Sequence, residues 1–267
     1  MAYMHLTREG AVGVLTLDRP PVNALSHDVY VALGEQLDIV AADPSLRVLV
    51  VTSNPDLRAF SAGADIKEFE RLFDPVTARQ FFDIAHEIPD RLERLEKVTI
   101  AAVEGAALGG GAELLLSFDF RIFGEKARIG FPEVTVGQFP GTGGTLRLPW
   151  LIGEAPAREL LLTGAAIDAP RAHALGLCNS VVAPGEALAS AMHLAQDLAG
   201  RPAQAVAAIK RSILANRDHD TRAGIARDTA LSLWVGDGPD SREGYAAFTG
   251  RREPAFTHAI PPLPSGS

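Results

Sequence analysis

Apolar and polar residues alternate through residues 4–8 and again through Val12, Val14 and Leu17, with Glu9-Gly10 between them, which predicts a β-hairpin over 4–8 and 12–18. The period then lengthens: Leu33, Leu37 and Val40 fall at helical spacing between residues 27 and 42, and Ser26 stands where an N-cap belongs. The runs 47–52 and 98–103 are short, apolar and bounded by turn formers, so each reads as a buried strand. The second leads into a glycine-rich turn, a helix over 111–118, and two short strands at 121–123 and 128–130. Between the two buried strands, residues 70–96, with Phe73, Phe81 and Phe82, follow no recognisable period. After residue 187 the strand signal ends, and helical patterns occupy 187–199, 203–216, 221–234 and 241–249.

This order predicts one α/β core over residues 1–186, a helical section over 187–260 and a mobile tail over 261–267. The late helices carry apolar faces but have no strands of their own to cover. That points to packing against a neighbouring subunit, although a fold-back over the core of the same chain would bury the same faces.

Composition narrows the picture. With 267 residues, 47% of them hydrophobic, the chain can bury a core that needs no disulfide or structural metal. A formal charge of -8 argues against a general polyanion binder such as a nucleic-acid protein, while a local pocket can still take an anionic small molecule. The single cysteine, Cys178, excludes an intrachain disulfide and a cysteine-based zinc site, reads as a core thiol, and fits a reducing, cytoplasmic setting. The first residues show no signal-peptide pattern, and Glu104, Glu113 and several glycines interrupt the apolar stretch 100–118, which makes it a poor membrane span. Neither glycine cluster completes a dinucleotide fingerprint, and no phosphate loop, nucleophile elbow or metal-spaced histidine pair is present in the sequence.

Three stretches hold candidate chemistry. Residues 60–69 and 105–113 each place a turn of small residues directly before a helix, where free backbone N–H groups carry partial positive charge and a ligand can come close. Two such ends facing each other make an oxyanion hole; the same glycines and alanines also suit tight helix–strand packing. In the first stretch, Asp65 followed by Glu68 predicts a capping box. The third stretch is Pro132-Glu133 followed by Pro140-Gly141-Thr142-Gly143-Gly144, where a carboxylate among apolar neighbours would have a raised pKa suited to proton transfer.

The order and spacing of these motifs, with Asn23-Ala24-Leu25 before them and Thr163-Gly164 and 174–177 after, closely resemble the enoyl-CoA hydratase/isomerase (crotonase) family. The resemblance implies an α/β spiral of strand-strand-helix turns, C-terminal helices that assemble trimers or hexamers, and a substrate carried as its coenzyme A thioester, with no separate cofactor and no metal. It places the two oxyanion-hole amides on Ala64 and Gly110, the two catalytic glutamates on Glu113 and Glu133, and a water-holding amide on Gly141. Ala62, Asp65, Ile66 and Lys67 fall along the coenzyme A loop, with Asn23 and Ala24 lining the same groove. Because family members that only shift a double bond often keep a single carboxylate, glutamate at both positions favours hydration. Isomerisation, thioester hydrolysis or a non-catalytic acyl-CoA-binding scaffold are the alternatives. Gln138-Phe139 departs from the family's smaller aliphatic residues; Phe139 either narrows the tunnel or, by preference, packs in the core. Lys210, Arg211, Arg251 and Arg252 are the basic candidates for the nucleotide phosphates.

Overall fold

The computed structural model describes residues 3–201, 203–215, 229–230, 233 and 236–255. The hairpin is present as β1 (Met4–Glu9) and β2 (Val12–Leu17), followed by α1 (His27–Ala42), with the Ser26 side chain accepting from the Val29 amide. Three successive crossovers then each give one strand to a large sheet and one to a small sheet. The pairs are β3 (Val48–Ser53) with β4 (Ala59–Ser61), β5 (Val98–Val103) with β6 (Ala106–Leu108), and β7 (Phe120–Gly124) with β8 (Arg128–Gly130). Helices α2 (Pro75–Arg94) and α3 (Gly110–Leu115) fill the first two returns. After β8 come a 3-10 turn (Pro132–Val136), α4 (Gly144–Ile152), α5 (Glu154–Thr163), β9 (Ile167–Asp168), α6 (Ala169–Ala174) and β10 (Ser180–Val182).

The six-stranded sheet runs β1-β2-β3-β5-β7-β10 and is parallel beyond the β1–β2 hairpin, while the small sheet runs β4-β6-β8-β9. This is the expected spiral of strand-strand-helix turns. The buried strands are continuous apolar runs because both faces of the large sheet are covered. Leu49, Val51, Ala101 and Val103 face the main core under α1 and α2, and Val48, Val50, Val98 and Ile100 face the other way.

That second face is covered by α7 (Ala187–Ala199), whose Ala187, Ala191 and Ala195 lie one turn apart and fully buried against it. Of the two packings expected for the late helices, α7 takes the fold-back over its own chain. The small side chains let α7 sit close to its own sheet, so its buried face is used within the chain. α8 (Ala203–Ala215) follows and leaves Ile209 and Ile213 exposed. α9 (Pro239–Thr249) packs on the 3-10 turn that carries Glu133, where Gln138 donates to Ser241 and the Gly244 backbone lies against Val136. The helix expected over 221–234 lies outside the described residues except at 229, 230 and 233, and the expected tail lies wholly outside them.

The stretch 70–96, which has no readable period, is mostly α2. Ala78, Phe81, Ala85, Ile88 and Leu92 are its buried stripe, Asp74 caps it, and Pro89 sits inside it on the same buried side. The expected capping box does not form. The Asp65 carboxylate accepts from the Lys67 amide and pairs with Arg19, and Glu68 reaches across to the His27 amide, so the 3-10 turn Ile66–Phe73 is tied to α1 instead of closed on itself.

Candidate active site

β4 and β6 are parallel neighbours, so the turns that follow them emerge side by side. Gly63, at φ +91°, lets them touch: a Cβ there would stand 2.7 Å from the Leu108 carbonyl oxygen and 3.2 Å from the Gly110 nitrogen. Parallel bridging between Leu25 and Ala64 uses the Gly63 carbonyl and the Asp65 amide and leaves the Ala64 N–H unspent. Gly110 opens α3, and its N–H precedes the first intrahelical bond, which runs from Glu113 to Gly109. The Ala64 nitrogen lies 3.7 Å from where a Gly110 Cβ would be, and both residues line one cavity of about 230 Å³. Two open amides therefore face the same space from adjacent turns.

The same cavity holds both glutamates. Glu113, one turn into α3, is buried, and its Oε1 accepts from the Thr142 amide at 2.9 Å and the Gly144 amide at 2.8 Å. Its Oε2 accepts from the Thr142 hydroxyl. Burial raises its pKa, and these donors together with the charge of the buried Arg147 pull the other way, so the site is prepared for a carboxylate. Glu133 has no comparable set: its Oε2 is buried with no hydrogen-bond partner, and burial followed by the charge of Glu113 pushes its pKa up to about 8. Its Oε1 stands 2.8 Å from the point a Gly109 Cβ would occupy, beside the oxyanion amides. The two carboxylates thus differ in surroundings: three donors meet the oxygens of Glu113 and favour its charged form, whereas the partnerless buried oxygen of Glu133 favours its neutral form.

Gly141 is buried and lines the cavity ahead of α4, whose first residue is Gly144. Ala62, Ile66 and Lys67 are exposed along the rim, with Ala62 and Ile66 bordering the cavity. Asn23 and Asp65 are buried beneath that rim. The Asn23 carboxamide turns inward, accepting from the Arg19 amide and donating to the Ala59 carbonyl, so its side chain braces the loop, and Ala24 beside it is half-buried. Asp65 is buried and serves the same loop: burial opposes its ionisation, yet the Arg19 pair at 2.5 Å and the Lys67 amide hold its pKa below the usual value. Phe139 lines the cavity with Phe69, Phe81, Phe82, Tyr245 and Phe248, which corrects the preference for simple core packing.

Of the basic candidates, Lys210 pairs with Asp119 at 2.5 Å, Arg211 with Glu96 and Arg252 with Glu243, while Arg251 is exposed. Cys178 is a buried core thiol, as expected, and burial pushes its pKa up to about 11. Two residues of the site carry no sequence signal of their own: Thr142, which donates to both oxygens of Glu113, and Tyr30, which reaches the cavity from α1.

Two open amides facing two glutamate carboxylates in one cavity form an arrangement suited to stabilising an oxyanion while a proton moves. The chain belongs to the enoyl-CoA hydratase/isomerase family, whose model matches residues 7–259. Crotonyl-CoA hydratase of Syntrophomonas wolfei is 36% identical over 96% of this chain and 99% of its own length. The 2,3-dehydroadipyl-CoA hydratase of Escherichia coli is 35% identical over 96% of this chain and 99% of its own. Among solved structures, carnitinyl-CoA hydratase from Mycobacterium avium superposes with a TM-score of 0.85 at 31% identity, covering 97% of this chain and all of that one.

Proposed function

We propose that this protein is an enoyl-CoA hydratase, which adds water across the 2,3 double bond of a 2-enoyl-CoA thioester. The observation that carries the reading is the pairing in one cavity of Glu113, met by three hydrogen-bond donors, with Glu133, which keeps a buried oxygen without a partner, beside the open amides of Ala64 and Gly110. The thioester oxygen lies between those two amides, and water lies between the glutamates with the Gly141 amide alongside. Glu113 takes a proton from water as its oxygen bonds to C3; the π electrons move onto the thioester oxygen as an enolate, and Glu133 gives its proton to C2. A proton passing from Glu113 back to Glu133 resets the site. Each amide bonds better to the enolate than to the neutral carbonyl and contributes roughly 3–4 kcal/mol to the transition state.

Acid, base and oxyanion donors are all the chain's own groups, so the reaction as written draws on no cofactor. The exposed rim of Ala62, Ile66 and Lys67, with Ala24 opposite, is our candidate path for the coenzyme A moiety. Working in the cytoplasm is part of the same reading, supported by a lone, buried cysteine; cell fractionation tests it. No helix among the described residues is long and apolar enough to cross a membrane.

Glu133→Gln keeps the shape of the side chain and removes its ability to hand over a proton. It is expected to lower kcat on crotonyl-CoA by about 10²–10⁴-fold with an unchanged circular dichroism spectrum. Wild-type turnover in this variant would overturn the reading.

A further inference from the structure

Arg147 of α4 is fully buried and clasps Gly143 in two ways. Its backbone N–H donates to the Gly143 carbonyl at 2.8 Å, and its side chain folds back so that Nη1 stands against the point a Gly143 Cβ would occupy. Gly143, at φ +114°, leaves that space to the guanidinium. It also lies between the two amides that meet the base: the Thr142 N–H reaches Glu113 Oε1 at 2.9 Å and the Gly144 N–H at 2.8 Å. From α2, Glu93 Oε2 accepts from Arg147 Nε at 3.1 Å, while Nη1 and Nη2 are buried with no hydrogen-bond partner. An arginine that only tied α4 to α2 would turn both arms of its fork to the carboxylate; this one keeps its outer nitrogens bare, at a desolvation cost, with one of them under the turn that serves Glu113.

We propose that Arg147 is a positioning residue for the base: its guanidinium, anchored by Glu93, seats the 142–144 turn so that both amides stay aimed at Glu113 Oε1, and its charge balances that carboxylate from behind the turn. Burial raises the Glu113 pKa, and after the hydrogen bonds from Thr142 and Gly144 it is the charge of Arg147 that opposes the rise. The other titratable groups in the cavity with Glu113 are Tyr30 of α1, Glu133 of the 3-10 turn and Tyr245 of α9, none of them a cation. On α2, buried His86 feels the same arginine. Burial first, and then the charge of Arg147, push the His86 pKa down to about 4, so this histidine stays neutral in the working range and adds no second positive charge.

The proposal rests on the reading of Glu113 as the base, and the test separates the two. Three variants are made in the full chain: Arg147→Met, which removes the charge at similar volume; Arg147→Lys, which keeps it; and the double variant Glu93→Gln with Arg147→Met, which leaves no unpaired buried charge. kcat and KM on crotonyl-CoA are followed across pH. Arg147→Met and the double variant should each lower kcat about tenfold and leave KM within about twofold. Losing the cation disfavours the carboxylate, so the acid limb of the kcat profile should move to higher pH in both, by about one pH unit, and should stay in place in Arg147→Lys. An acid limb that does not move in the double variant, or that moves as far in Arg147→Lys as in Arg147→Met, would overturn the role. So would a double variant that fails to fold, or whose loss of rate follows entirely from a lower Tm, since Arg147 would then serve the fold alone. If the wild type hydrates no enoyl-CoA, it is the hydratase reading that fails. Arg147 is then judged by ¹³C NMR titration of Glu113 in the Glu133→Gln background, where the double variant must raise the Glu113 pKa and an unchanged value rejects the proposal.

Discussion

Glu113 and Glu133 are the same residue type in the same cavity, and only their neighbours differ. Three donors, two from Thr142 in the turn before α4 and one from Gly144 at its start, converge on Glu113, whereas Glu133 keeps a buried oxygen with no partner. Burial pushes the Glu133 pKa up to about 8, so the carboxyl keeps its proton at neutral pH, as the proposed acid must, and loses it above. kcat/KM should therefore fall on the alkaline side with an apparent pKa near 8, and a stopped-flow pH series on crotonyl-CoA reads this directly. Stability carries the opposite side of the same shift. The folded chain holds this proton more tightly than the unfolded one, whose glutamate titrates near 4.5, so stability should decline as pH rises from 4.5 through 8. Denaturant titrations should show that slope reduced in Glu133→Gln. A rate that stays flat to pH 9.5 would mean that Glu133 is not the acid.

At the level of elements, the strands at 47–52 and 98–103 and helix α1 were legible because each is covered on a single repeating schedule of apolar residues. α2 carries a clear stripe, Ala78, Phe81, Ala85, Ile88 and Leu92, yet Pro89 and the adjacent Phe82 blur the period, and only packing against α1 shows which side is buried. The turns bearing Ala64, Gly110, Glu113 and Glu133 were legible as motifs because small residues and a fixed spacing persist along the chain. The hold of Thr142 on Glu113 and the place of Tyr30 in the cavity were not, since both arise only when folding brings α1, α3 and the turn before α4 together; the Thr142 amide reaches Glu113 across 29 residues. α7 escaped the same reading for another reason. Its alanine face gives no hint of whether it will meet its own sheet or another chain's, and it meets its own. α9 is likewise engaged within the chain, bracing the turn that holds Glu133 and closing the cavity with Tyr245 and Phe248.

For the whole molecule, α8 and its surroundings are an apolar surface that no element among the described residues covers. Ile209 and Ile213 are 60% and 57% exposed, and Trp150 of α4 joins them along one apolar groove. We propose that this face lies between subunits in a trimer, or in a hexamer of paired trimers. Sedimentation velocity at micromolar concentration should find a species of three or six chains, and Ile209→Glu with Ile213→Glu should shift it to smaller species; a 28.3 kDa monomer for the unaltered protein would remove the proposal. The central claim, hydration through an enolate, is tested most directly by mass spectrometry of the product formed from crotonyl-CoA in D₂O. The mechanism predicts a 3-hydroxyacyl-CoA carrying one deuterium bonded to C2. A shifted double bond with no added water, or free coenzyme A, would contradict it.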